Sequence, residues 1–289
     1  MVSIGIPFKS PGRWLIDAVR SVFAQSWQDW ELILVDDGSS DESVDLAAKI
    51  ADPRVRLIVD GLSKGVAARR NEIIQRAQGE YVAWMDADDL MHPERLARQI
   101  ETLKTKPEAM AVFSGAYILN GDGDVLGVRK GTTPDITEVF ARGGYIHATM
   151  LARRGWLAKT SYSEEFPRAE DRELLVRSLV NGCRFEVLPE PLYFYRWVGN
   201  MKPRAMLLGY RSERKVMVRY GPKALGWLRT LGLLGHSFLK SAVLWNLSLL
   251  SSEDVLSKRS FLLMGGVQRI EAEEALRKIR ETKVPGWDF

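Results

Sequence analysis

Residues 2–37 read VSIGIPFKSPGRWLIDAVRSVFAQSWQDWELILVDD, two short apolar runs on either side of a segment with a different period. VSIGIPF and ELILVDD are rich in Val, Ile and Leu and stop near Pro or Asp, which marks them as strands. Between them, RWLIDAVRSVFAQ places apolar residues three and four positions apart, the spacing of one helix face. Strand, helix and strand in this order form the repeating unit of a parallel sheet covered by helices.

The rhythm continues outward from that stretch. VRLIVD (55–60) and EYVAWMD (80–86) read as further strands, and SVDLAAKIA (43–51) and VAARRNEIIQRAQ (66–78) as helices. In such a sheet, ligands bind beyond the carboxyl ends of the strands, where the strand order reverses. Two acidic turns therefore fall on one edge: Asp36-Asp37-Gly38-Ser39-Ser40 after the second strand and Asp86-Ala87-Asp88-Asp89 after the fourth.

The second turn sets three carboxylates within four positions. Carboxylates packed this closely repel one another, so a cation is the natural partner. Asp86 and Asp88 stand two apart, a spacing that lets both reach one hard cation. Asp89 has a simpler reading as the cap of a helix starting near Pro93, with Glu94 in its first turn.

After residue 110 the pattern changes. AVFSGAYILNGDGDVLGVRKG (111–131) reads as a hairpin turning at Asn120–Asp124. YIHATMLARR (145–154) reads as a further strand, and AEDRELLVRSLVNG (169–182) as a helix with a Glu173–Arg177 pair and Gly182 as its stop. FEVLPEPLYFYRW (185–197) resembles an edge strand broken by Pro189 and Pro191. From about 203 the pattern is helical, with a cap expected at Ser252. The expected division is a catalytic region over 1–200, in halves 1–110 and 111–200, with helices over 201–289 packing on it.

Composition bounds the rest. The chain has 289 residues, 46% of them hydrophobic, enough to bury a large core. Its single cysteine, Cys183, excludes an internal disulfide framework and a thiolate zinc cluster. MVSIGIPFKS lacks the basic leader of a signal peptide, and Arg229 and Lys240 divide the apolar stretch 224–250 into pieces too short to span a bilayer. A cytoplasmic location is expected. Net charge is only +4, yet residues 202–223 carry seven basic side chains against one acid, Glu213. That patch suits phosphates, or the inner face of an anionic membrane with Trp227 and Trp245 at the interface; a helical subdomain covering the core is the alternative.

Four stretches, in order, resemble the inverting glycosyltransferases of family 2, which have the GT-A fold: residues 2–41; GVAARRN with QGEYVAWMDADD; HATMLARR; and AEDRELLVRSL before YRW. The resemblance implies an α/β fold with a mostly parallel, Rossmann-like sheet flanked by helices and extended by C-terminal helices. It also implies a nucleoside-diphosphate sugar as donor and Mn²⁺ or Mg²⁺ as cofactor. Asp88 matches the direct metal ligand, and Asp86 the carboxylate nearer the ribose or the metal. Asp37 matches the acceptor for the nucleobase, which suits uracil, thymine or guanine and disfavours cytosine. Asp36 is read instead as serving its own turn.

Pro7, Lys9, Asp37, Arg70 and Asp86 are the expected donor-binding residues. Lys9 stands where many relatives have an aromatic residue, so either Lys9 meets phosphate or ribose, or Phe8 stacks on the base. Lys64 and Arg69 are further candidates for the diphosphate, and Arg70 and Asn71 serve equally well as structural partners of the acidic turns. Glu170-Asp171 matches the family's Glu-Asp motif. Neighbours on a helix do not share a face, and Asp171 is expected to be the general base. His147 is read either as a packed ring or as an acceptor contact, and Arg196 and Trp197 as residues closing over the diphosphate.

The function implied is transfer of a sugar from a UDP-, GDP- or dTDP-linked donor to a hydroxyl acceptor, carbohydrate or lipid-linked, in cell-surface polysaccharide or glycolipid synthesis, with no nucleic-acid partner. The alternatives are a Mg-dependent phosphatase, a nucleotidyltransferase and a non-catalytic carbohydrate-binding protein.

Overall fold

The structure is a computed structural model that describes residues 1–197, 203–249, 262 and 264–288. β1 (Val2–Phe8), α1 (Trp14–Phe23) and β2 (Trp30–Asp36) form where the apolar periods change. The two strands pair in parallel from Val2 opposite Trp30 to Phe8 opposite Asp36. Every residue of β2 is buried, as a strand covered on both faces requires. The period of two is visible in the packing: Leu32 and Leu34 join one core cluster, Ile33 and Val35 the other.

α2 (Ser43–Ala48), β3 (Val55–Ile58), α3 (Val66–Arg76) and β4 (Tyr81–Trp84) follow. β3 pairs with β2, and β4 with β1, both in parallel. The strand order therefore reverses at β1, and the carboxyl ends of β1, β2 and β4 open on one edge.

The second half adds β5 (Leu90–Met91), α4 (Arg95–Thr105), β6 (Ala109–Leu119), β7 (Val125–Arg129) and α5 (Ile136–Arg142). A 3₁₀ turn (His147–Thr149), β8 (Leu151–Arg153), α6 (Arg154–Thr160), α7 (Glu170–Val180) and β9 (Arg184–Arg196) complete it. The sheet runs β3-β2-β1-β4-β8-β6-β9-β5, with β7 also on β6. The hairpin expected at Asn120–Asp124 is present, closed by the Asn120 amide donating to the Asp124 carbonyl at 3.0 Å.

Two sequence readings are corrected here, and a third holds over part of its length. YIHATMLARR is a strand only in its second half, because the Thr149 hydroxyl donates to the Ile146 carbonyl at 2.7 Å and accepts from the Ser114 amide at 3.0 Å, a side chain substituting for the ladder. β9 has a strand on both sides only at Tyr193 and Phe194, where the short β5 pairs; its earlier part, with both prolines, lies against β6 alone, an edge as expected. Its two prolines sit where the register jumps, Leu188 facing Ser114 and Pro191 facing Gly115, so the missing N–H groups fall in a bulge. Asp89 does not cap α4, whose preceding residue Glu94 makes no side-chain cap bond.

α8 (Pro203–Leu225) and α9 (Trp227–Leu249) form an antiparallel pair turning at Gly226, whose φ of 79° favours glycine. α8 docks on α7 through Glu213 and Arg172 at 3.0 Å, with Val216 and Met217 in the second core cluster. α10 (Gly266–Glu281) lies against α1, and Trp287 beyond it is buried, its indole N–H donating to the Leu46 carbonyl at 2.9 Å. The cap expected at Ser252 lies outside the described residues.

Candidate active site

Asp36 closes its own turn, as expected, accepting from the amides of Gly38 at 3.1 Å and Ser39 at 2.9 Å. Asp37, the next residue, is buried and bonded to the segment that follows β3. Its Oδ1 accepts from the amides of Lys64 (2.7 Å) and Gly65 (3.0 Å) and from Arg69 Nε (3.1 Å), while Oδ2 accepts only from the Ser63 hydroxyl (3.2 Å). Burial alone would raise this carboxyl, but the hydrogen bonds from Gly65, Lys64, Arg69 and Ser63 outweigh it and hold the group below the usual carboxylate range.

Arg69 is fully buried and also donates to Asp60, Glu72 and the Leu62 carbonyl. It organises the 60–65 loop and is not available to a diphosphate, which corrects the reading made from sequence. Lys64 pairs with Asp60 at 2.7 Å, and Lys9 donates to Ser63 Oγ at 2.8 Å, both on the exposed rim. Phe8 is buried in the first core cluster and cannot stack on a base, leaving Lys9 as the exposed side chain of the two. Pro7 pairs opposite Val35, one step below that rim.

At the end of β4, the Asp86 amide donates to the Tyr193 hydroxyl at 3.2 Å, and Asp86 Oδ1 lies 3.7 Å from Arg70. Asp89 is buried and accepts from the Arg196 amide at 2.7 Å, while the Arg196 side chain donates to the Asp88 carbonyl at 2.8 Å. Arg196 is further held by Asp17 at 3.3 Å and by the face of Trp14. It therefore braces the acidic turn against β9 and does not close over a ligand. Trp197 lines a cavity instead.

All three carboxyls of this turn are pushed up. Burial dominates at each, with Arg70 partly offsetting it at Asp86, Asp86 adding to it at Asp88, and Asp88 and Asp86 adding to it at Asp89. Among the described residues, no group of three or more His, Cys, Asp or Glu side chains is placed to cage a metal ion. A divalent cation at this turn would therefore have only one or two carboxylates as protein ligands and would need ligand phosphates to complete its shell.

α7 begins with Glu170 and Asp171 beside the same Arg70. Glu170 is buried, its Oε1 accepting from Arg70 Nη1 at 3.0 Å. Burial opposes the charge on Arg70, yet the acidic groups around it, Tyr162, Glu170, Asp86 and Asp171, raise its pKa and keep it a cation. Asp171 accepts from the next amide, Arg172, at 2.6 Å and opens into two cavities of about 590 and 280 Å³. The larger is lined by Lys64, Arg168 and Leu208, the smaller by Asp86, Arg129, His147 and Trp197, and both include Arg70 and Asp171.

His147 is a packed ring, as one of its two readings expected, and it also borders a cavity. Its Nε2 meets the Tyr162 hydroxyl at 2.8 Å and it lines the smaller cavity, while burial, with Arg70 nearby, pushes its pKa well down and keeps the ring neutral. Asn71 does not serve the acidic turns; its side chain exchanges two 2.8 Å bonds with the main chain of Tyr162. Sequence reasoning missed Arg129, Tyr145, Tyr162 and Tyr195 at the site. Only Tyr195, next to the quoted Arg196-Trp197 pair, had any local signal.

A sequence profile described as "Glycosyl transferase family 2" matches residues 3–158. The chain is 32% identical over 194 residues to "Putative glycosyltransferase EpsE" of Bacillus subtilis (strain 168), covering 64% of this chain and 68% of that one. It is 29% identical over 125 residues to "UDP-Glc:alpha-D-GlcNAc-diphosphoundecaprenol beta-1,3-glucosyltransferase WfgD" of Escherichia coli, covering 43% of this chain and 49% of that one. The fold resembles that of S. aureus TarS residues 1–349, crystallised with UDP-GlcNAc, at a TM-score of 0.59 and 16% identity, covering 97% of this chain and 81% of that one.

Proposed function

The chain belongs to glycosyl transferase family 2, and on that premise we propose that it transfers a sugar from a nucleoside-diphosphate donor to an acceptor hydroxyl with inversion, in the synthesis of a cell-surface polysaccharide or glycolipid. The observation that carries this reading is the position of Asp171. It opens where two cavities meet, while its neighbour Glu170 turns away to a buried ion pair with Arg70.

In the proposed reaction Asp171 accepts the proton of the acceptor hydroxyl as that oxygen forms its bond to the anomeric carbon. The bond from that carbon to the diphosphate oxygen breaks on the opposite face, and its electron pair leaves with the nucleoside diphosphate. No covalent enzyme intermediate is required. Arg70 faces the same meeting point as a fixed cation, placed to stabilise negative charge there. Asp88 and Asp86 would hold the Mn²⁺ or Mg²⁺, which when bound supplies Lewis-acid neutralisation of the departing diphosphate.

On the donor side, Asp37 Oδ2 keeps acceptor capacity beyond its bond from Ser63. An imide N–H of uracil or thymine, or the N1–H of guanine, fits that oxygen. Uracil has further support, because the E. coli relative is named for UDP-Glc and TarS was crystallised with UDP-GlcNAc. Lys9 and Lys64 on the rim are placed for ribose or phosphate. A lipid-linked acceptor of the kind named for the E. coli relative would suit the smaller, partly aromatic cavity.

Product analysis tests the proposal. Incubation with Mn²⁺, a sugar nucleotide and candidate acceptors should release free nucleoside diphosphate and a glycoside of inverted configuration. Release of pyrophosphate, or retained configuration, would overturn it.

A further inference from the structure

α9 is apolar on both of its faces. The face packed against the protein carries Leu233, Leu234 and the buried Leu244 together with the buried Thr230 and Ser237, while the outward face carries Trp227, Leu228, Leu231, Phe238, Leu239 and Val243. Leu228 is 86% exposed and Trp227 67%, far from a normal place for such side chains. A helix that merely covers a core turns a polar face to solvent, and the outward face of α9 is apolar instead. The hydroxyl residues on the inward face are held by contacts underneath. Arg214 of α8 donates to Ser241 Oγ at 2.7 Å and to Ser237 Oγ at 3.3 Å, and a side chain at Gly221 would collide with Thr230.

The neighbouring surface is basic. On α8, Arg204, Arg211, Lys215, Arg219 and Lys223 are all exposed. Arg211, Arg214, Lys215 and Arg219 line one groove of about 580 Å³ together with Phe238 of α9, so cations and the apolar stripe share one face. Of these, Arg219 is paired to Glu165 at 2.8 Å and Arg214 is held by the serines. Arg229 adds an exposed cation beside the stripe on α9 itself.

We propose that the α8–α9 pair docks on an anionic lipid bilayer, α9 lying in the plane of the interface with its apolar face in the acyl boundary and the α8 cations on the head groups. No helix among the described residues is long and apolar enough to cross a membrane, which leaves in-plane docking as the geometry. A stripe from residue 227 to 245 extends roughly 27 Å at the helical rise, long enough for several anchoring side chains. Cations interleaved with apolar residues match an anionic lipid surface. The same surface reaches the site: Leu208, exposed on α8, lines the larger cavity, and Arg172 next to Asp171 holds Glu213 of α8. Docking in this way brings the meeting point of the two cavities close to the bilayer, where a lipid-anchored acceptor would be presented; that last consequence rests on the function proposed above.

The test is co-sedimentation of the full chain with vesicles of phosphatidylcholine containing phosphatidylglycerol, and with phosphatidylcholine alone. Pelleting is expected with the anionic vesicles at low salt and should weaken as salt rises. It should fall on the order of tenfold in Arg211→Glu/Lys215→Glu, and be lost in Leu228→Glu/Leu239→Glu. All four side chains are exposed, so both variants should keep the thermal melting profile of the parent. A chain that stays in the supernatant at low salt, or pellets equally with both vesicle types, overturns the proposal. So does a concentration-dependent dimer in sedimentation velocity that the leucine variant abolishes, since a second copy would then cover the face. UDP binding is read on the same preparations, so a chain that binds UDP but not vesicles overturns the docking alone.

Discussion

Arg70 holds Glu170 at 3.0 Å, and by doing so decides which of two adjacent carboxylates faces the cavities. Asp171, one position on, is left at their junction. The pair is therefore a positioning device as well as a structural contact.

Asp171→Asn should lower turnover by about 10²–10⁴, with little change in melting temperature, because the side chain makes only one local bond to the Arg172 amide. Nucleoside diphosphate release, measured beside a thermal melt, checks both parts. Undiminished turnover would remove Asp171 as the base.

Arg70→Met should destabilise the fold by about 3–5 kcal/mol, the cost of leaving a buried partner charge uncompensated. Denaturant unfolding measures it. Glu170→Gln should lose less, since a neutral amide remains to accept from Arg70.

Asp37→Asn should raise the KM for the donor more than it lowers kcat, since the amide presents an N–H where the base expects an acceptor. It also leaves Arg69 short of one carboxylate. The Asp37 pKa is depressed in the folded chain, so its stabilising contribution is present above the unfolded value near 4 and is lost as pH falls through the folded one. The variant should accordingly lose less stability than the parent on going from pH 5 to acid, as read by unfolding at each pH.

His92 gives a second pH window. Burial pushes its pKa down to about 4, so the folded chain resists a proton that the unfolded chain takes up near pH 6.5. Stability from this ring is present above pH ~6.5 and declines as pH falls toward the folded value, by about 2 kcal/mol at pH 5. Replacing His92 with Gln should flatten the unfolding free energy between pH 7 and 5, and an unchanged slope would contradict the assignment.

Removal of divalent cations by a chelator should abolish turnover, and Asp88→Asn should reproduce that loss in the presence of Mn²⁺. A thermal shift by UDP that depends on Mn²⁺ in the parent, and is lost in the variant, separates cation binding from chemistry.

The sequence by itself determined the strand and helix alternation of the first half and the placing of Asp37 and Asp86 on one edge. Both are local: the apolar period tells strand from helix, and a parallel sheet must open its ligand edge at the strand carboxyl ends. It also showed that Glu170 and Asp171 cannot share a face, since neighbours on a helix point apart. Which of the two faces the cleft, however, followed from the family motif and not from the period.

Tertiary structure decided the rest. Arg69 and Arg70 are identical in type and adjacent, yet Arg69 is spent inside the 60–65 loop and Arg70 stands between both acidic motifs. Phe8 turned into the core, Arg196 onto Asp17, and Asn71 onto Tyr162. In each case the partner comes from a segment distant in the chain. A side chain's environment is set by whatever packs across from it, and that information resides in the assembled sheet and helices, beyond the reach of any window of sequence.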